Sequence, residues 1–217
     1  MTYAREERVA VADLLTKLGP DQPTLCAGWK TLDLAAHLVI RERRPDAGLG
    51  VLGGPLAGHT RRVQNRRISR SSFPELIELI RTGPPRLSLF ALPGADDRGN
   101  TVEYFVHHED IRRGQPGWEP RDLSPGLSDL LWQRLRLARL MLRRAPVGVE
   151  FAREDGARQE GDAPLRITAK ARAPMVTVTG TPAELTMWAF GRAAAARVRL
   201  EGSDPDVAAL AASGWRH

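Results

Sequence analysis

Hydrophobic positions recur at helical spacing through the first two thirds of the chain. The pattern predicts a first helix over residues 2–18, which ends at Gly19-Pro20. Thr31 is expected to cap a second helix, with Asp33 in the first turn, where a negative charge suits the helix dipole. The chain therefore opens with two amphipathic helices joined by a loop.

Further helices are predicted before residue 145. They are 57–82 (broken near 71–74 and recapped by Ser71 or Ser72), about 100–113 (capped by Asn100) and about 124–144 (capped by Ser124, with Pro125 first). Helices of this length joined by short loops are typical of a bundle, in which binding sites are built between facing helices.

The pattern changes after Ala145-Pro146 to short alternating runs separated by Gly, Asp and Pro. These runs predict strands near 147–153, 165–170, 176–179 and 197–201, with helices near 183–190 and 204–212. The sequence therefore predicts an α+β protein with two domains. These are an up-down helical bundle at residues 1–144 and a small α+β domain at residues 146–217.

The composition limits the kinds of partner molecule that are expected to bind this protein. The formal net charge is +6, and among the basic residues only Lys17, Lys30 and Lys170 are lysines, a bias that the codon composition of a high-GC coding sequence explains. The alternative is a nucleic-acid or anionic-ligand surface. The arginines are spread along the chain, and the one local patch, Arg61–Arg70, lacks the aromatic residues that stack on bases. Nucleic acid is not an expected partner.

The ends of the chain and its apolar runs bear on location. The charged start, Met1–Arg8, runs straight into a helical pattern and does not resemble a signal peptide. Apolar runs fall short of the roughly 20 residues that cross a bilayer. A cytoplasmic protein without a membrane partner is expected.

The cysteine content restricts the chemistry of any metal site. Cys26 is the only cysteine, which excludes both a disulfide within the chain and a cysteine-based zinc site. Any metal is therefore expected to be held by His, Asp and Glu. Cys26 itself is interpreted as a small buried hydrophobic residue, with a reactive thiol beside the metal as the alternative.

The segment 103–110 carries the strongest chemical signal. On a helix, Glu103, His107 and Asp110 fall within roughly 60° of arc, while His108 points about 100° away from His107. A carboxylate and an imidazole one turn apart can bind one metal ion. Asp110 would then either hydrogen-bond to a ligand or bind the ion as an extra ligand. The alternative is a simple surface ion pair.

A catalytic zinc site needs a third protein ligand and one open position. His37 is the best candidate because it lies mid-helix beside the apolar stripe, and Asp33, one turn earlier, could orient its ring. His59 is a competitor in a glycine-rich region, and His217 is terminal. The predicted metal ligands are therefore His37, Glu103 and His107.

Three stretches resemble a known family. Residues 25–38 resemble the W-T-x-x-D-L-x-x-H-L segment of the mycothiol-dependent maleylpyruvate isomerases, and residues 103–110 resemble their E-x-x-x-H-x-x-D helix. Residues 182–192 with 198–202 are similar to the sterol-carrier-like C-terminal domain of that family. The likeness spans nearly the whole chain, and it is closest to an uncharacterised actinobacterial branch.

The resemblance implies a DinB-like metal-binding bundle in which His37, Glu103 and His107 hold a divalent metal, most often zinc. It also implies mycothiol, a low-molecular-weight thiol, as cosubstrate, and isomerase or transferase activity on a small electrophilic substrate. Arg41 or Arg112 could bind a substrate carboxylate. The chain departs from the family at Lys30 and at His108-Glu109, positions that border the site, and this leaves the substrate open.

Two other classes of function stay open beside the enzyme. One is a metal-binding or ligand-binding module without turnover, which a coordinatively closed metal would indicate. The other is a basic nucleic-acid binder, which DNA binding that survives moderate salt would indicate.

Overall fold

A computed structural model describes residues 2–43, 64, 66–85, 88, 94–155 and 165–213. Numbered in chain order among these residues, the elements are α1 (Tyr3–Leu18), α2 (Thr31–Arg43), α3 (Phe73–Thr82), α4 (Ala95–Arg113), α5 (Pro125–Arg134), α6 (Ala138–Met141), β1 (Gly148–Arg153), β2 (Arg166–Lys170), β3 (Met175–Gly180), α7 (Pro182–Ala189), β4 (Arg199–Glu201) and α8 (Asp204–Ala212). Short 3-10 helices cover Leu135–Leu137, Leu142–Arg144 and Ala193–Ala195. The predicted α+β class is confirmed.

The chain forms two compact units, Met1–Glu119 and Pro120–His217. In the first unit, α1 packs against α3 and α4, and α2 packs against α3. Their apolar faces form one core, whose fully buried side chains include Leu15, Leu34, Leu38, Leu76, Ile80, Tyr104 and Ile111. Burying a leucine or isoleucine contributes roughly 1.5–3 kcal/mol, so this core holds the helices together.

Two predicted helix caps are wrong. Helix α4 begins at Ala95, and Asn100 lies inside it, where its amide donates to the Glu42 carboxylate of α2 over 3.3 Å. Thr31 is already helical, and its hydroxyl donates to the Gly19 carbonyl over 2.5 Å instead of capping α2. In both cases the side chain bonds across the fold, which a local capping pattern does not reveal.

Other predicted caps are confirmed. Ser72 forms a reciprocal capping box with Glu75 at the start of α3, and Ser124 accepts from the Leu127 amide at the start of α5. These caps satisfy amide groups that a helix leaves without partners in its first turn.

The segment predicted as one helix to Arg144 is interrupted by two 3-10 turns and packs on the sheet. Trp132, Leu135 and Leu142 share a core with Phe151 and Trp188 of the second unit. This explains why the compact units divide after Glu119, while the predicted domains divide near residue 145. Helical periodicity shows which face is apolar and does not show which core that face enters.

The second unit contains a four-stranded sheet in the order β2-β1-β3-β4. Strand β1 runs antiparallel to β2 and parallel to β3, with Val149 opposite Val176 and Phe151 opposite Val178. Strand β4 is antiparallel to β3. All four strands correspond to predicted β-type runs, with ends shifted by one or two residues.

The patch Arg61–Arg70, predicted as the one local basic patch, lies partly outside the described residues, and the structure exposes another between α5 and β1. Its exposed members are Arg136, Arg139, Arg143 and Arg144, interleaved with Leu137 (53% exposed) and Leu140 (61%). These arginines form no ion pair with the described part of the chain.

Among the described residues, no helix is both long and apolar enough to cross a membrane.

Candidate metal centre

The candidate site lies between α2 and α4 in the first unit. Helix α2 supplies His37, and α4 supplies Glu103 and His107 one turn apart. Oε1 of Glu103 lies 3.5 Å from Nε2 of His37 and 3.3 Å from Nε2 of His107. One ligand atom from each of the three residues lies within 4.8 Å of the others. The structure thus brings together the three side chains selected from sequence.

These separations match those around a tetrahedral ion. Zn–N and Zn–O bonds of about 2.0–2.1 Å place neighbouring ligand atoms about 3.3 Å apart. Both distances from Oε1 of Glu103 are close to that length. The two imidazole rings meet edge to face, with centroids 5.0 Å apart and planes at 71°. Ring nitrogens and a carboxylate oxygen of this arrangement suit zinc and other borderline divalent metals.

His37 is buried, yet the described protein offers its Nε2 atom no hydrogen-bond partner. Its side chain is 3% exposed, and its Nε2 makes no hydrogen bond in the described structure. A buried polar atom without a partner costs about 1–3 kcal/mol. Burial also lowers the pKa of His37, so the ring is neutral and its lone pair is available to an ion. The Trp29 ring covers one side of the imidazole, with the two ring centroids 5.2 Å apart.

His107 is oriented by a carboxylate on its own helix. Its Nδ1 lies 2.9 Å from Oδ2 of Asp110, so Nδ1–H donates to Asp110 and Nε2 faces Glu103. Metal-bound histidines commonly use their second nitrogen in this way. Burial opposes a charge on the ring, but hydrogen bonds with Asp110, Cys26 and Glu103 outweigh it and raise the pKa of His107 well above its ordinary value.

Glu103 carries the negative charge of the site. Burial alone would raise its pKa, but the neighbouring imidazoles of His107 and His37 and the charge of Arg41 lower the pKa well below its ordinary value. The carboxylate is therefore ionised at neutral pH. Its side chain is 21% exposed, more than that of either histidine, so the glutamate lies on the accessible side of the site.

The position of Cys26 overturns the exclusion of cysteine as a metal ligand, which was made from sequence. Its Sγ lies 3.2 Å from Oδ2 of Asp110, and Cys26, His107 and Asp110 form a second group of closely spaced ligand atoms. A single cysteine can thus join a mixed site, although it cannot build a cysteine-rich one. This second group would take Nδ1 of His107 away from Asp110. The first group leaves that hydrogen bond intact, and we favour it for this reason.

The other residues singled out from sequence have mixed outcomes. The Asp33 carboxylate accepts from the Lys30 amide over 2.9 Å and is not seen to orient His37. Arg112 pairs with Glu109 over 2.8 Å, and His108 turns away to meet Glu7 over 2.8 Å, as its position on the helix predicts. The competitors His59 and His217 lie outside the described residues.

The sequence offered Cys26 beside the metal only as an alternative and assigned Arg41 to a substrate carboxylate, so the contacts of Cys26 with Asp110 and of Arg41 with Glu103 were not predicted. Arg41 is one helical turn after His37, and this spacing was the available signal for its position. The contact of Cys26 joins a loop to a distant helix, and local spacing carries no signal for it.

Comparison with known proteins identifies no relative. No family model, no curated protein and no solved structure matches the chain.

Proposed function

We propose that the first unit binds one divalent metal ion, preferably zinc, through His37, Glu103 and His107. We further propose that the site acts with a low-molecular-weight thiol, mycothiol, as an isomerase or S-transferase on a small electrophilic substrate. The observation that supports metal binding best is the buried, unpartnered Nε2 of His37, which faces the same carboxylate oxygen as Nε2 of His107. The thiol and the DinB-like and sterol-carrier-like assignments rest on the sequence resemblance.

The charges of the site fit a divalent cation. Glu103 is ionised and His37 is neutral, so these two ligands need no proton removed at neutral pH. His107 must give up the proton on Nε2, while Nδ1–H stays with Asp110. A tetrahedral ion held by these three residues would keep a fourth position for a substrate or thiol, as catalytic zinc sites do.

The resident metal would supply one piece of chemistry, a lowered pKa of a bound thiol, so that the thiol is a thiolate at neutral pH. A thiolate held there would supply a nucleophile for reversible addition to an electrophilic double bond, which is the chemistry that an isomerase or S-transferase of this kind needs. The chain's part is to shield the site with Trp29, to hold His107 through Asp110 and to carry the anionic ligand Glu103.

Metal binding is tested by stripping the protein of metal, titrating zinc, and measuring the bound metal per chain. We expect one zinc per chain in the wild type and its loss in His37→Ala and His107→Ala. His108→Asn is the matched control, because His108 is the neighbouring buried imidazole on α4 but faces Glu7. Unchanged zinc content in both His37→Ala and His107→Ala would defeat the assignment.

A non-catalytic metal module is the second candidate, and the closeness of Cys26 and Asp110 to His107 favours it, since added ligands could close the site. Cobalt-loaded wild type and Cys26→Ser protein are compared, because a sulfur band that is present before thiol is added and is lost in Cys26→Ser would mean that Cys26 closes the site. Added mycothiol should produce a sulfur-to-cobalt charge-transfer band if the site is open. Bound cobalt without such a band would favour the module.

A further inference from the structure

Arg41 contacts one turn of α4 with all three of its guanidinium nitrogens. Its Nε lies 3.1 Å from Oε1 of Glu103. One terminal nitrogen donates to Oδ1 of Asn100, and the other donates to the Gly99 carbonyl over 2.9 Å. A planar guanidinium offers its donors in a fixed geometry, so three acceptors in fixed positions define the place of the group closely.

The acceptors on α4 are themselves fixed. The amide of Asn100 donates to Asp96 over 2.7 Å and to Glu42 over 3.3 Å, which assigns its oxygen to Arg41. Asn100 and Glu42 are buried, and Arg8 pairs with both Asp96 and Glu42 over 2.7 Å. The partner of Arg41 is thus part of a buried, hydrogen-bonded network that joins α1, α2 and α4.

The contact between Arg41 and Glu103 lies at the level of the candidate metal centre. His37 and Arg41 are one turn apart on α2, and Glu103 and His107 are one turn apart on α4. Residues at this spacing share a helix face. The contact therefore fixes the register of α2 against α4 where the three ligands meet, and it touches the same oxygen that both imidazoles face.

We propose that Arg41 is a positioning residue of the metal centre. It holds Oε1 of Glu103 between the two imidazoles, so that the glutamate binds through one oxygen and a coordination position stays open. This inference rests on the proposed metal-binding function. Partners of this kind outside the ligand shell typically change metal affinity by about 10–100-fold.

The charge of Arg41 works against the geometric effect. The positive charge of Arg41 repels a divalent cation. Neutral Arg41→Gln removes that repulsion and also removes the contacts that hold Glu103, so its two effects on metal affinity oppose each other. Arg41→Lys keeps the charge and loses the fork of donors, because one ammonium group cannot reproduce the three fixed contacts. Arg41→Lys is therefore the informative variant.

Arg43 supplies a matched control on the same helix. Its guanidinium clamps α2 to α3 through the Gly83 carbonyl over 2.9 Å, with longer contacts to the Leu79 carbonyl and the Thr82 hydroxyl. All three contacts come from one terminal nitrogen, so Arg43→Lys tests the general effect of an arginine-to-lysine change on α2 without touching the candidate ligands. Any general weakening of the fold should be similar in the two lysine variants.

The experiment titrates Co²⁺ into metal-free wild type, Arg41→Lys and Arg43→Lys, and follows the visible absorption of the metal. We expect Arg41→Lys to bind cobalt at least about tenfold more weakly. We also expect a weaker visible band, because a glutamate that binds through both oxygens raises the coordination number above four. Arg43→Lys should retain wild-type affinity and spectrum.

Three results would overturn the inference or its premise. Identical affinity and spectra in the two lysine variants would mean that Arg41 does not position the site. Tighter binding by Arg41→Lys would make Arg41 a competitor of the metal. Absence of cobalt binding in the wild type would instead defeat the proposed function itself. Circular dichroism tests whether each variant keeps the fold. If Arg41→Lys unfolds, Arg41→Gln is compared with the wild type for the visible spectrum alone.

Discussion

The carboxylate of Asp110 accepts a hydrogen bond from Nδ1 of His107 over 2.9 Å, one turn further along α4. The contact decides which nitrogen of the ring faces the other candidate ligands. Since Nδ1 is engaged, Nε2 is the atom directed at Glu103, 3.3 Å away. Asp110 is fully buried, so solvent does not compete for this bond.

Asp110→Asn should weaken metal binding. The variant keeps the shape of the side chain but removes the negative charge that orients the His107 ring and increases its basicity. We expect zinc affinity to fall about 10–100-fold, measured by competition with a chromophoric chelator. Asp97→Asn, on the same helix, is the control, because Asp97 accepts from the Ala4 amide and does not meet His107. Equal affinity of Asp110→Asn and wild type would contradict the orienting role.

Cys26→Ala should leave zinc binding nearly intact. The favoured ligand set does not include the thiol, which lies 3.2 Å from Asp110. One zinc per chain is expected in the variant, with the affinity changed far less than in His107→Ala. The measurement is isothermal titration of metal-free protein. Loss of zinc in Cys26→Ala would place the ion in the alternative group of Cys26, His107 and Asp110.

Arg8→Met should destabilise the first unit strongly. Arg8 pairs with Glu42 over 2.7 Å, and their side chains are 4% and 2% exposed. Removing the arginine leaves a buried carboxylate without its cation, which costs about 3–5 kcal/mol. The free energy of unfolding in urea gives the value.

Arg81→Met provides the comparison for that measurement. Arg81 pairs with Asp13 over 2.8 Å between α3 and α1, but the side chains are 37% and 62% exposed. An exposed pair contributes about 0–1 kcal/mol. Similar losses in Arg8→Met and Arg81→Met would show that burial does not set the strength of the Arg8 pair.

The second unit should show an acid-dependent contribution from Asp155. Burial alone would raise its pKa, but hydrogen bonds from Arg153 and Ser128 outweigh burial and lower it from 3.8. A lowered pKa in the folded state means that the contribution is present above the unfolded value and is lost as pH falls through the folded value. The difference in melting temperature between wild type and Asp155→Asn should therefore favour the wild type at pH 7 and vanish in strong acid.

Asp129→Asn is the control for this pH series. Asp129 contacts the same Arg153 over 2.6 Å but is 57% exposed. Solvent screens such a pair, so a smaller difference from wild type is expected at pH 7. A wild-type advantage over Asp155→Asn that persists unchanged to the lowest pH would contradict the assignment to the carboxylate charge.

Much of the secondary structure could be predicted, because helix periodicity, caps and alternation are local properties. The caps Ser72 and Ser124 and all four strands follow from neighbouring residues. The early start of α4 could not be predicted in this way. Its first turns are polar, with Asp96 and Asn100 bonded to Arg8 and Glu42 from distant helices.

The amino-acid sequence by itself determined that Glu103, His107 and Asp110 share one face of a helix, because a helix repeats every 3.6 residues. It also set His37 on the inward edge of its own helix. Only the tertiary structure decided that these faces meet, that Arg41 joins Glu103, and that Cys26 reaches Asp110. Contacts between distant segments depend on how whole helices pack, and packing is a property of the assembled core.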